Sequence, residues 1–337
     1  MQRALFLSLF AALEALMLAH GQAARAGDFD KFDFSLRFPA AISRFATYAD
    51  VAGVGGASAA SKFQSSVNPA SVALEPMPKG TSVSASPQFS TVHFDQGTRL
   101  DVFVESLVID AGSAGRFMPT LAQVRSNKAA DKSGLDYDFD MDQAQLGWGR
   151  RFGETWAGGV NLIAARSNTD FSTGGVNDSH TNDHTYGARV GVLNRVTERL
   201  NLGFVADYAI VPSETDAGAI THDTTHQVLL RPGVAFEYAK GSTLYVDYQF
   251  GRFANDTGSL VVNRFYAGAE QRIFEWLFLR GGVAADTRAN TTYTAGLGLY
   301  PTDWISVDFG FQQNSLPELD PNFGRARTYG VSGSVSF

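Results

Sequence analysis

The chain has no cysteine among its 337 residues, which excludes disulfides, zinc–thiolate sites and thiol catalysis. It has no block of Lys or Arg and a formal net charge of −7, so its composition argues against a nucleic-acid partner. Beyond the N-terminal stretch no apolar run is long enough for a transmembrane helix. There is no Gly-x-Ser-x-Gly elbow, phosphate loop or His-Glu-x-x-His, and no Ser/His pair stands out as nucleophile and base. The sequence therefore reads as a non-enzyme without a cofactor, and any membrane insertion must use strands.

Glycine (34) and phenylalanine (26) are abundant while mean hydropathy is near neutral, as expected of a protein half lipid-facing and half water-facing. At the N-terminus, Arg3, an apolar stretch from Ala4 to Ala19 and the small-x-small run Ala24-Arg25-Ala26 predict a signal peptide over 1–26 and export. At the other end, Tyr329, Val331, Gly333, Val335 and Phe337 fall on one strand face, with Gly330, Ser332, Ser334 and Ser336 on the other. That pattern, closed by an aromatic, suits the last strand of an outer-membrane barrel. It also offers the barrel-insertion machinery a terminal strand to engage.

From about residue 80 this alternation recurs. Fourteen segments are predicted, near 80–94, 97–110, 114–125, 135–150, 154–168, 183–196, 199–212, 225–239, 242–254, 260–273, 276–286, 291–300, 303–314 and 326–337. Ile305, Val307, Phe309 and Phe311 share one face, with Asp308 opposite; Leu244, Val246, Tyr248 and Phe250 share another, with Asp247 opposite. Asp308 and Asp247 therefore demand a polar interior. Counting from the first segment, every even-to-odd link is short, whereas the long links near 126–134, 169–182, 213–224 and 315–325 are all odd-to-even. Short turns mark the periplasmic side. Trp156, Trp276, Tyr300 and Trp304 lie beside them, where an aromatic girdle belongs. The predicted fold is all-β, a closed antiparallel transmembrane barrel of about fourteen strands over 80–337.

Residues 27–79 do not alternate, and their small residues suit a plug packed in the lumen. Gly53-Val-Gly-Gly-Ala57, a polar spacer, then Asn68-Pro69-Ala70 resembles the opening of the FadL/TodX outer-membrane transporters. The resemblance covers about thirty residues. It implies a fourteen-stranded barrel with an N-terminal hatch, in which Gly55, Gly56, Asn68, Pro69 and Ala70 are the candidate hatch residues. It also implies passive uptake of long-chain fatty acids or other hydrophobic compounds, with outer-membrane lipid and a hydrophobic small molecule as partners. A kinked third strand would supply a side exit. Here that strand contains Gly115 and Pro119, and a proline cannot donate a ladder hydrogen bond. The two form a candidate lateral gate; a simple bulge is the other reading, and Pro87 and Pro232 sit in other strands. A polar-solute porin and a non-transporting scaffold of a secretion machine remain as alternatives. The predicted long loops are polar and provide no apolar capture groove.

Two further constellations stand out. Asp136, Asp138, Asp140 and Asp142 alternate along one strand face and need cations or arginines, with Arg116, Arg125 and Arg189 as candidates. His180 with His184, and His222 with His226, share an i, i+4 spacing. On a helical turn either pair could chelate zinc or copper; on a strand its members would stand too far apart.

Overall fold

A computed structural model describes residues 54, 57, 59–60, 67–74, 77–78 and 80–337, apart from 127–128, 131–135, 174–175, 257 and 288–289. The signal peptide expected over 1–26, Gly55 and Gly56 lie outside the described residues. Fourteen antiparallel strands close into a barrel: β1 (Val83–Phe94), β2 (Arg99–Asp110), β3 (Arg116–Ser126), β4 (Asp136–Phe152), β5 (Trp156–Thr173), β6 (Val176–Arg195), β7 (Leu200–Asp216), β8 (Ile220–Ala239), β9 (Ser242–Asn255), β10 (Gly258–Phe274), β11 (Leu277–Asp286), β12 (Thr291–Thr302), β13 (Ile305–Gln313) and β14 (Ala326–Ser336). A two-residue continuation of β3, Ala129–Ala130, also pairs with β4. β1 pairs with β14, Ser84 opposite Ser336 and Phe94 opposite Ala326, so the sheet has no free edge.

The alternation predicted for the closing strand holds. Tyr329, Val335 and Phe337 are exposed on the outer wall, while Ser332 and Ser336 are buried inside. Trp156, Trp276 and Trp304 are half-exposed beside the short turns, as a girdle requires. Tyr300 is a correction. It faces the lumen, where its hydroxyl accepts from Arg280 Nη2 at 3.1 Å and donates to Asp308 Oδ1 at 3.3 Å.

Residues 169–182 and 213–224 are mostly strand rather than loop, because β5 to β8 continue outward as long hairpins. Beyond the hydrocarbon both strand faces meet water, so the apolar alternation fades while the ladder continues. Polar pairs join the strands there instead: Thr181 to Thr215 at 3.0 Å and His180 Nδ1 to Asp170 Oδ1 at 2.7 Å.

The lumen carries ion pairs along β6 to β13. Arg189 meets Asp207 at 2.6 Å, Arg231 meets Asp247 at 2.8 Å, and Arg280 bridges Glu270 at 2.7 Å and Asp308 at 2.5 Å. This meets the expectation of a polar interior at Asp247 and Asp308, each neutralised by a buried arginine. The outer mouth on the β1–β4 side differs. Its inward residues Val92, Phe94, Leu100, Val102, Val104, Ala122, Val124, Phe139 and Met141 form a buried apolar layer. The segment between β13 and β14 turns into the barrel and caps that layer with Leu316, Leu319 and Phe323, the rings of Phe94 and Phe323 standing 5.5 Å apart.

Candidate functional site

The inward segment around Asn68-Pro69-Ala70, the expected hatch, is a small folded unit. Asn68 caps a 3₁₀ turn over Pro69–Ala73, its Oδ1 accepting from Ala70 N at 3.0 Å, with Pro69 at the first position, where no N–H is required. Asn68 is fully buried, and its Nδ2 donates to the carbonyls of Ala59 (2.5 Å) and Val192 (3.2 Å). The first bond holds two parts of the hatch together; the second ties them to β6. Of the five hatch residues predicted, Asn68, Pro69 and Ala70 thus come together against the wall.

What they rest on is a row of glycines that the sequence reading missed. Gly149 on β4, Gly159 on β5 and Gly191 on β6 are direct cross-strand neighbours on the inner wall. Gly203 on β7 and Gly233 on β8 face each other one step further round. A Cβ at Gly159 would come within 2.5 Å of the Pro69 carbonyl, and one at Gly149 within 3.0 Å of Pro69 O and Ala73 N. At Gly191 it would collide with Asn68 Oδ1, and at Gly203 with the Ala59 carbonyl. Gly268 on β10 receives Val54 in the same way. Gly149, Gly159 and Gly203 omit a side chain where hatch backbone lies, and Gly191 and Gly233 where the Asn68 side chain and the Asp247 carboxylate with the Ala59 Cβ lie, which is what close approach demands. The available signal was the repeated inward glycine, three to six residues from the strand end at each short turn.

Polar and apolar contacts complete the seat. Asp247 Oδ2 accepts the Ala59 N–H at 2.8 Å and also Arg231 Nε at 2.9 Å, and the guanidinium lies 4.0 Å over the Tyr266 ring. Arg151 Nε reaches the Ala73 carbonyl at 3.2 Å at the other end of the hatch. Val54, Ala57, Ala60, Ala70 and Ala73 pack against Ala157, Leu193, Ala235 and Tyr245 of the wall.

Gly115 precedes β3 with φ +97°, and a Cβ there would meet the Gly149 carbonyl at 2.6 Å. It therefore serves the turn into β3 directly beside the hatch seat. At Pro119 the β2–β3 ladder lacks two successive pairs, between Ser106–Thr120 and Ile109–Phe117, without a change of register. The β3–β4 ladder stays continuous, Pro119 opposite Leu146. The break with one neighbour is the one expected of a missing donor. Equivalent two-pair gaps occur at Pro87 against β14, Pro212 against β6 and Pro232 against β9.

The aspartate face of β4 points outward. Asp142 pairs with Arg125 at 2.6 Å, Asp140 accepts from Asn168 Nδ2 at 3.1 Å, and Asp138 from Ser126 Oγ at 3.1 Å. Arg116 and Arg189 bind Asp110 and Asp207 instead. Both histidine pairs lie on strands, where i and i+4 share a face about 13 Å apart. Their members keep separate partners: His180 with Asp170, His184 stacked on Tyr186, His222 near Glu214 and His226 with Tyr208. Among the described residues no cluster of three or more His, Asp or Glu could hold a metal.

No family model and no curated protein sequence matches the chain. Solved structures do. The CymD monoaromatic hydrocarbon channel aligns over 87% of this chain and 98% of its own at a TM-score of 0.62 and 12% identity. The Ralstonia pickettii toluene transporter TbuX aligns over 86% and 97% at 0.56, and a Pseudomonas aeruginosa FadL homologue over 86% and 98% at 0.55, each again at 12% identity. The chain thus has the fold of the FadL/TodX channels, over most of its length.

Proposed function

We propose that this barrel carries hydrophobic small molecules passively across the bacterial outer membrane, past a hatch seated on its glycine row. The observation that carries the reading is the vertical order of the lumen: a capped apolar layer at the mouth, then polar side chains, then Asn68-Pro69-Ala70 lying on Gly149, Gly159 and Gly191. A water-filled porin has no use for an apolar layer beneath an inward-folded loop, whereas a molecule that shuns water needs one to leave the surface. The aligned channels, described as passing monoaromatic hydrocarbons or toluene, support a cargo of that kind, hydrocarbon-like or a long-chain fatty acid. The hatch and the Pro119 break would then offer two ways out, one into the periplasm and one sideways into lipid.

Uptake of radiolabelled toluene and of a long-chain fatty acid by cells whose outer membrane carries the protein tests this. Uptake above that of cells with an unrelated barrel is expected for at least one. Equal uptake for both, together with high sugar flux through the purified protein, would sink the proposal in favour of a polar pore.

A further inference from the structure

Gln143 sits on the inner face of β4, 3% exposed, and among the described residues neither its Oε1 nor its Nε2 has a hydrogen-bond partner. Its cross-strand neighbours are Ala122 on β3 and Ala165 on β5, and Met141 precedes it on the same face. Ala122 and Met141 belong to the apolar layer, and Ala165 packs against it. The polar side chains just below bond to one another, Asn161 Nδ2 donating to Gln145 Oε1 at 2.7 Å and Ser106 bonding Thr120 at 2.8 Å, which leaves one orphaned atom there, Asn161 Oδ1, against both polar atoms of Gln143. Gln143 therefore stands at the floor of the apolar layer, whose other buried polar neighbours include Gln88 and Ser90 beside Val104 and Val102 and Ser167 opposite Met141.

An orphaned buried amide is costly, and a leucine of similar size would avoid that cost. Its two donors and one acceptor group suit a ligand atom that both donates and accepts, which a hydroxyl does. The flanking alanines offer no charge to neutralise a carboxylate. Leu316, Leu319 and Phe323 cover the same wall from above and fill the volume a guest would take.

We infer that the apolar layer under the β13–β14 segment is a cargo site whose polar contact is Gln143, selecting an apolar molecule with one uncharged hydroxyl over the bare hydrocarbon. Cargo displaces Leu316, Leu319 and Phe323, and its hydroxyl completes the amide. This rests on the transport reading above. A site built to bond a hydroxyl rejects the analogue lacking it, because its own polar group is then left unpaired.

The test pairs p-cresol with p-xylene, which differ only by hydroxyl for methyl, as radiolabelled uptake substrates in cells carrying the intact protein. Wild type should favour p-cresol by roughly tenfold or more, the worth of one buried hydrogen bond. Gln143→Leu and Gln143→Met should abolish or invert that ratio while p-xylene uptake persists. Neither variant should unfold at lower urea than wild type, since each removes an unsatisfied amide. An unchanged ratio in both folded variants, or a wild-type preference for p-xylene, overturns the inference and leaves the transport reading standing. Uptake of neither compound, nor of toluene or fatty acid, overturns both.

Discussion

The carboxamide of Asn68 lies directly on the Cα of Gly191, so that a single methyl group there would overlap its oxygen. The hatch position is thus encoded partly in the wall, as an omission. Gly191→Ala should unseat the hatch while the barrel still closes, because the β5–β6 and β6–β7 ladders do not depend on that hydrogen. Single-channel recordings in planar bilayers should show a larger, noisier conductance than wild type. Gly281→Ala is the control, since a Cβ there has only the Thr294 carbonyl at 4.0 Å nearby. Identical recordings from the two variants would remove the glycine row from the account.

Asp247 binds both the hatch and a buried cation, so its two roles separate by substitution. Asp247→Asn keeps an acceptor for the Ala59 N–H but leaves Arg231 without its counter-charge. Removing one partner of a buried pair costs about 3–5 kcal/mol. The variant should unfold at lower urea and should loosen the hatch. The chain has no cysteine, which makes the second effect readable. Ala57→Cys, fully buried in the native hatch, should react slowly with a maleimide, and at least about tenfold faster once Asp247→Asn is added. Equal rates would show that the ion pair serves the wall alone.

The strand count, closure, lipid faces and short turns were legible because lipid on one side and water on the other enforce a period of two. Asn68-Pro69-Ala70 was legible because a cap and a proline act locally. The glycine row was not, although every glycine in it is visible in the sequence. Its meaning depends on strand register, which aligns residues 149, 159 and 191, and register is not local information. The apolar mouth was hidden for another reason. Phe139 and Met141 alternate with aspartates, but above the hydrocarbon the outer face meets water and the apolar face turns in. Tyr300 was misplaced similarly: its nearness to a turn suggested lipid, while parity with Gly298 sends it to Arg280.

The lipid face should reject charge according to depth. Phe309 is exposed on the outer wall between Leu297 and Val331, well inside the girdle formed by Trp276 and Trp304. Phe309→Arg should destabilise the barrel by about 2–4 kcal/mol in lipid vesicles, as arginine does near the midplane. Gln313→Arg, at the outer end of the same strand, should cost about 1 kcal/mol or less. Reversible urea titrations in vesicles give both values, and equal costs would mean that the band is misplaced.

Pro119 and Pro87 leave matching gaps in different ladders, so sequence alone cannot make one a gate. Position distinguishes them. Pro119 lies four residues from Gly115, which touches Gly149, which in turn touches Pro69 and Ala73, so that a contiguous path joins the β2–β3 break to the hatch. A valine would restore the missing N–H at either site. If cargo leaves sideways at β2–β3, Pro119→Val should cut toluene uptake roughly tenfold while leaving the unfolding midpoint equal or higher, and Pro87→Val should leave uptake unchanged. A loss in neither variant would assign exit to the hatch. A loss in both would point to general stiffening of the wall, in which proline breaks serve its flexibility and no single strand acts as the door.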